Sequence, residues 1–220
     1  MKKVGMTVLA TGVLVMACIR SAQASTVSWA DWTSTAPLIV SGNMIVDGST
    51  VSVTFSGQYV FAQTSGGINY WNPSAPYIST SVDNAPPNSD IIACNFGGFK
   101  TITFSRVVKD PLLALVSWNS NTVDFGVPIE ILSYGKGYWG NGTPILNAGG
   151  TGFFGSGEVH GVIRFPGEYN SITFADSAEY WHGLTVGATS LPLFPEPGTM
   201  LLLGTGLIGL FGSRIKRKKK

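Results

Sequence analysis

The sequence predicts an all-β protein: an antiparallel β-sandwich, jelly-roll-like, carried between a cleaved N-terminal signal helix and a short C-terminal transmembrane helix. Three observations carry this prediction. Between Ser25 and about Ala188 no stretch repeats its apolar residues at helical spacing. Short runs there alternate apolar and polar side chains instead, and Gly, Asn and Pro turns separate them. With 44% hydrophobic residues the 220-residue chain can bury a core, which excludes a disordered protein.

The N-terminus has the layout of a secretory signal. Lys2 and Lys3 form a charged start, Val4 to Ile19 an apolar run, and Ala22-Gln23-Ala24 a small-residue cleavage site, which places the cut after Ala24. The alternatives are an uncleaved anchor helix, against which the Ala-x-Ala site argues, and lipidation at Cys18, where Met16 fits the required pattern poorly. Loss of residues 1–24 removes Cys18 and leaves Cys94 alone, so no internal disulfide forms. Beside Ile91, Ile92 and Phe96, Cys94 reads as a buried small hydrophobe.

Residues 25–190 form the exported domain. Asp47-Gly48 joins Ile45-Val46 to Thr50–Ser56 in a predicted hairpin, with Val51, Val53 and Phe55 on one face and Ser52, Thr54 and Ser56 on the other. Further strands are predicted at Thr101–Ser105, Leu112–Trp118, Pro128–Ser133, Val159–Phe165 and Ser171–Ala175. Asn119-Ser-Asn121, Asn141-Gly142, Gly149–Gly152 and Gly167 supply turns. Ile102-Thr-Phe104 and Ile172-Thr-Phe174 echo one another as similar core strands. The proline-bearing segments Asn72–Pro76 and Asp83–Asp90 flank Tyr77–Ser81 and predict an excursion projecting from the sheet.

Residues 191–220 are a sorting and anchor segment. Pro195-Glu196-Pro197-Gly198 precedes an apolar stretch from Thr199 to Gly212, and six of the last seven residues are basic. A helix here starts after Pro197, because proline cannot continue one inward. Residues 199–215 rise about 25 Å, against roughly 30 Å of hydrocarbon, and snorkelling of Arg214 and Lys216 covers the difference. The basic end stays in the cytoplasm, with the domain outside. Gly204-x-Gly206-x-x-Gly209 matches a dinucleotide-binding pattern but lacks the strand before it and the acidic residue after it.

Pro-Glu-Pro, a short apolar helix and a basic end resemble the PEP-CTERM sorting signal, over roughly residues 194–220. The resemblance implies a Gram-negative bacterium that makes exopolysaccharide, and processing by a membrane enzyme, exosortase. Pro195, Glu196 and Pro197 would then be the recognition residues and the helix a transient anchor. Lysines stand where arginines are commoner in that family. The Trp-rich start (Trp29, Trp32) and the end at Ala178–Gly187 look like the β-sandwich domains often carried by such proteins, a resemblance that implies no catalytic residues.

The net charge of +2 misleads, because the basic residues collect at the two ends. Between Ser25 and Phe194 five basic side chains face eleven acidic ones, a net of −6, which argues against a nucleic-acid partner. Trp71, Tyr77, Trp139 and Trp181 are the candidate sugar contacts, with Tyr138 and Tyr180 in similar Gly, Pro and Asn surroundings; the competing role is to plug the core, as Trp118 does. Glu158, His160 and Arg164 share a strand face, and Glu179 and His182 lie near a later strand; surface charge is the favoured reading over a glycosidase pair. Two histidines and one cysteine make no zinc pattern, and Asp83, Asn84, Asn88 and Asp90 read as a turn rather than a calcium loop. Gly155-Ser156-Gly157 lacks the spacing of a nucleophile elbow, and Asn141-Gly-Thr143 is a turn rather than a glycosylation site.

These observations lead to an expectation of a non-enzymatic exported protein, with no cofactor, at the cell surface or in the extracellular matrix. Its partners are a processing exosortase, the membrane through the C-terminal helix, and exopolysaccharide. The alternative is a carbohydrate-binding module or weak glycosidase on the same sandwich.

Overall fold

The computed structural model describes residues 24–87 and 89–192. In chain order its strands are β1 (Ser28–Trp29), β2 (Asp31–Ala36), β3 (Ile39–Val46), β4 (Ser49–Ser56) and β5 (Phe61–Gln63). After a 3-10 turn at Ala75–Tyr77 come β6 (Ile91–Cys94), β7 (Gly98–Lys109) and β8 (Leu112–Trp118). The second half adds β9 (Thr122–Asp124), β10 (Glu130–Tyr134), β11 (Gly142–Leu146), β12 (Gly152–Gly157), β13 (Val159–Arg164), β14 (Glu168–Asp176) and β15 (His182–Ala188). Among the described residues no helix is long and apolar enough to cross a membrane. The expected signal segment with Ala22, and the expected C-terminal helix, lie outside the described residues; Ala24 is exposed.

The strands form two antiparallel sheets. One has the order β11-β12-β9-β14-β7-β4-β3-β2; the other has β10-β13-β8-β15-β6-β5, with β1 also paired to β15. The ribbon β7–β8 crosses from the first sheet to the second and lies antiparallel to the ribbon β13–β14, with β9 beside β14 and β10 beside β13.

Local chemistry explains the best-read elements. Asp47 and Gly48 both have positive φ (49° and 70°), the backbone of a two-residue turn whose twist matches the strands it joins. The β4 alternation then sends Val51, Val53 and Phe55 into the core and leaves Ser52 and Ser56 outside. The two echoing segments are direct neighbours, with Ile172 of β14 opposite Ile102 of β7. At Gly155 of β12 any side chain would collide with the Trp118 carbonyl, so this glycine serves close strand approach.

Two hydrophobic cores result. The larger lies between the sheets, around Trp32, Val53, Phe55, Leu113, Leu115, Trp118 and Phe174. The smaller covers the outer face of the β8–β15 sheet, where Leu112, Ala114 and Val116 meet Trp71, Tyr77, Val82 and Ile91. Strand β8 is therefore buried on both faces, which is why its sequence is an unbroken apolar run.

The structure corrects three expectations. The segment around Asn72–Pro76 and Tyr77–Ser81 does not project: it folds back as the cover of the second core, because Trp71 and Tyr77 bury their rings there. Asn141-Gly142 is not a turn, since Gly142 opens β11 opposite Gly157. Strand β7 runs from Gly98 to Lys109, well past the predicted Thr101–Ser105.

Candidate functional site

A register shift between β8 and β13 shapes one end of the sandwich. Trp118 stands opposite Val159 and Leu115 opposite Gly161, so Val116 and Ser117 together face His160 alone. Ser117 takes a positive φ of 58°, an arrangement that costs about 1–3 kcal/mol and that bulges use to re-aim side chains. It turns the Ser117 hydroxyl toward the Glu158 carboxylate, to which it donates a hydrogen bond. Both residues line a cleft of about 490 Å³, a size that accepts a small ligand.

Glu158, Glu179, Ser117 and Asn119 form the polar part of this cleft, and Tyr70, Trp139, Tyr180 and Trp181 its aromatic part. Asn119 joins the two carboxylates: its backbone N–H donates to Glu179 (2.9 Å) and its side-chain amide to Glu158 (2.8 Å). The Asn119-Ser-Asn121 turn, held by Ser120 at a φ of 54°, therefore belongs to the site. On the aromatic side, Tyr70 lies 5.1 Å from Trp181 and 6.4 Å from Trp139, and Trp139 lies 6.4 Å from Trp181, measured between ring centroids. Trp139 is 55% exposed and Tyr180 almost wholly so.

Burial pushes the Glu179 carboxyl up to about 8; hydrogen bonds from Asn119 and Asn121 oppose this, and the charges of Glu158 and Asp176 add to it. At neutral pH Glu179 thus carries a proton. Behind it His182 is fully buried, with Nδ1 3.7 Å from Glu179 and 3.3 Å from the Asn121 amide, and Nε2 3.0 Å from Asp176. Burial holds this imidazole below its ordinary pKa, against the pull of Asp176. Asp176 also meets Lys100, which donates to it (2.5 Å) and to the Phe96 carbonyl (2.8 Å). A line of buried polar groups thus runs from the inter-sheet core to the cleft.

Beyond the described residues, the C-terminal segment decides the chain's destination. Residues 195–218 match the family described as the PEP-CTERM protein-sorting motif. The chain carries a PEP-CTERM sorting signal. No curated protein and no solved structure matches it. PEP-CTERM implies processing by exosortase, export, and transient membrane anchoring by the C-terminal region. Pro195, Glu196 and Pro197 stand at the head of the matched PEP-CTERM segment.

The four candidate sugar contacts of this PEP-CTERM protein separate. Trp139 and Trp181 meet at the cleft. Trp71 and Tyr77 are a correction: both are buried, packed edge to face at 5.3 Å, so neither ring offers a face to a ligand. Trp71 donates its indole N–H to the Asp90 carbonyl, and the Tyr77 hydroxyl lies 3.3 Å from His160 Nδ1. The favoured reading of Glu158 and Glu179 as surface charges is also corrected, since both line the cleft and the Glu179 side chain is only 7% exposed. Arg164 lies elsewhere, bound to Glu130.

The Asp83–Asp90 turn is explained by hydrogen bonding. Asp83 accepts from the Thr26 hydroxyl (2.8 Å), and Asn84 brackets Val27 by accepting its N–H and donating to its carbonyl. Asn88 lies outside the described residues. Among the described residues no group of three or more His, Cys, Asp or Glu is arranged to hold a metal ion. Sequence reasoning missed Tyr70, Ser117, Asn119, Lys100 and Asp176. For Lys100 a signal existed: it occupies an inward position of the alternation that continues through Ile102 and Phe104.

Proposed function

We propose that this chain is a non-enzymatic exported protein that reaches the cell surface or extracellular matrix of a Gram-negative bacterium and there holds exopolysaccharide in its aromatic cleft. The observation that carries this reading is the convergence of Trp139, Trp181 and Tyr70 with Ser117, Asn119 and two carboxylates in one cleft. Aromatic faces meet the C–H groups of sugar rings, while the polar groups bond their hydroxyls. In this reading the signal is cut after Ala24, the domain spans residues 25–190, and the PEP-CTERM segment is removed by exosortase near Pro195-Glu196-Pro197. The nested ribbons β7–β8 and β13–β14 support a jelly-roll-like winding, from which β11 departs by pairing with β12.

A second reading, a weak glycosidase, is favoured by one observation. Glu158 and Glu179 share Asn119 and differ in environment, as an acid and base flanking a glycosidic bond do.

The test measures retention of the full chain on immobilised exopolysaccharide from the producing organism, with new reducing ends followed in the supernatant. Retention without cleavage is expected. Retention with cleavage supports the glycosidase, and absence of retention removes the polysaccharide. Mass spectrometry of surface-fraction protein tests the sorting half: residues 199–220 still attached would refute it.

A further inference from the structure

The charge inside the cleft is one-sided. Among the described residues it is lined by two carboxyl groups and by no lysine or arginine. The nearest buried cation, Lys100, is engaged by Asp176 and by the Phe96 carbonyl. Burial disfavours the charged form of His182, which faces Glu179. The donors that reach the two carboxyl groups are the Ser117 hydroxyl, the two N–H groups of Asn119 and the side-chain amide of Asn121, and all of these are neutral. Two carboxyl groups that share Asn119 in one cleft repel each other when both are charged, and a proton or a cation relieves that repulsion. In the ligand-free protein a proton fills that role on Glu179.

A ligand that brings its own positive charge takes that place. The aromatic wall says what kind of cation fits, because indole and phenol faces attract both an ammonium group and the apolar face of a pyranose ring. We propose that the cleft takes an amino sugar with a free ammonium group, its ring against Trp139 and Trp181 and its ammonium between Glu158 and Glu179. This inference rests on the polysaccharide reading above and names the sugar class. Uronates are excluded, because a ligand carboxylate would face Glu158 with no countercharge. N-acetylated and neutral sugars retain the stacking and lose the ion pair.

Binding then has a proton signature. An ammonium beside Glu179 favours its ionised form, so at about pH 5.5, where the sugar amine is already charged and Glu179 still protonated, complex formation releases protons and the titration is run there. The groups that face this carboxyl are Glu158, Asp176, His182, Asn119 and Asn121. Of these, Glu158 and Asp176 oppose its ionisation, and the two asparagines assist it.

The experiment is titration calorimetry of the full chain, with a chelator present to keep divalent metals off the carboxylates, in two buffers of different ionisation enthalpy. Its probes are β-linked oligomers of glucosamine, of N-acetylglucosamine and of glucose, equal in length. The expected result is affinity for the glucosamine oligomer at least about tenfold above the other two, with proton release seen for it alone. Glu179→Gln replaces a carboxyl that is already protonated and therefore folds; it is expected to abolish the proton release and the preference while keeping weak binding of all three. Glu158→Gln is expected to remove the preference as well. Equal binding of the three oligomers overturns the amino-sugar inference and leaves the polysaccharide reading standing. Retention on exopolysaccharide with no binding of the glucosamine oligomer overturns it too. No binding of any oligomer, joined with no retention on exopolysaccharide, overturns both.

Discussion

Lys100 holds its ammonium 2.5 Å from Oδ1 of Asp176, and neither side chain reaches solvent. The other carboxylate oxygen lies 3.0 Å from His182 Nε2, so one buried anion is shared between a cation and an imidazole. Removing one partner leaves a charge in the core without compensation, which costs more than the pair itself contributes. Lys100→Met is expected to destabilise the protein by about 3–5 kcal/mol, and Lys100→Met with Asp176→Leu to recover most of that. Urea denaturation of the single and double variants checks this. A double variant no more stable than the single would mean that His182 needs the carboxylate.

The dependence of stability on pH follows from groups displaced in both directions. Glu179, raised to about 8, and Asp90, raised to about 6 by burial and by Asp31, bind protons more tightly folded than unfolded. Their contribution is complete below the ordinary carboxyl range and is lost as pH rises through 6 and then 8. His160, lowered to about 4 by burial, acts oppositely: its contribution is complete above 6.5 and is lost as pH falls through 4. Above 6.5, therefore, the melting temperature is expected to fall with rising pH. Glu179→Gln is expected to flatten that limb, and thermal melts of both proteins in matched buffers read the difference.

Trp139 and Trp181 share the cleft but not the same surroundings. Trp139 is 55% exposed, so Trp139→Ala is expected to shift stability by no more than about 0.5 kcal/mol while abolishing retention on polysaccharide. Trp181 is half-buried and packs on Phe61 and Tyr70, against the second core. Trp181→Ala is expected to cost about 2 kcal/mol, less than a fully buried tryptophan, and to lose retention as well. Denaturation and retention measured on the same preparations separate the two effects.

Cys94 is fully buried in β6, and burial pushes its thiol up to about 12. The thiolate that a disulfide or an alkylating reagent needs is therefore scarce, and the sulfur is out of reach. In protein from which residues 1–24, and with them Cys18, have been removed, a thiol-reactive dye is expected to leave the native state unlabelled and to label one thiol per chain in denaturant. Rapid labelling of the native protein would show that β6 opens readily.

How far the fold was legible depended on what each residue touches. The Asp47-Gly48 hairpin and the β4 alternation were readable because a two-residue turn and a half-buried strand are local in cause. Strand β8 was readable as an apolar run. What buries its outer face was not, because Trp71, Tyr77 and Ile91 arrive from up to about forty residues away in segments rich in turn residues. The same composition that made Asn72–Pro76 look like a projecting loop serves a chain that must bend closely over a sheet. Strand β6, Ile91–Cys94, was missed because a run of only four apolar residues is too short to mark a strand in the way the longer run of β8 does.

The candidate site was legible in its parts. Trp139, Trp181, Glu158 and Glu179 were all nameable from the sequence, each with a plainer role attached. Their meeting depends on the register shift at Ser117, on the turn at Asn119 and on the pairing that sets β13 and β15 on either side of β8. Of these only the Asn119-Ser-Asn121 turn has a short-range sequence signal; the register shift and the strand pairing have none.

Sequence alone determined the C-terminal sorting motif and the class of the domain that precedes it. A PEP-CTERM segment and alternating strands are patterns written in consecutive residues, and each acts through its own length of chain. Tertiary structure alone decided which tryptophans are walls and which are core. It also decided that Lys100 is buried against Asp176, and that two glutamates separated by twenty residues share one asparagine. Those are relations between strands distant in sequence, set by sheet pairing and by the water that packing excludes.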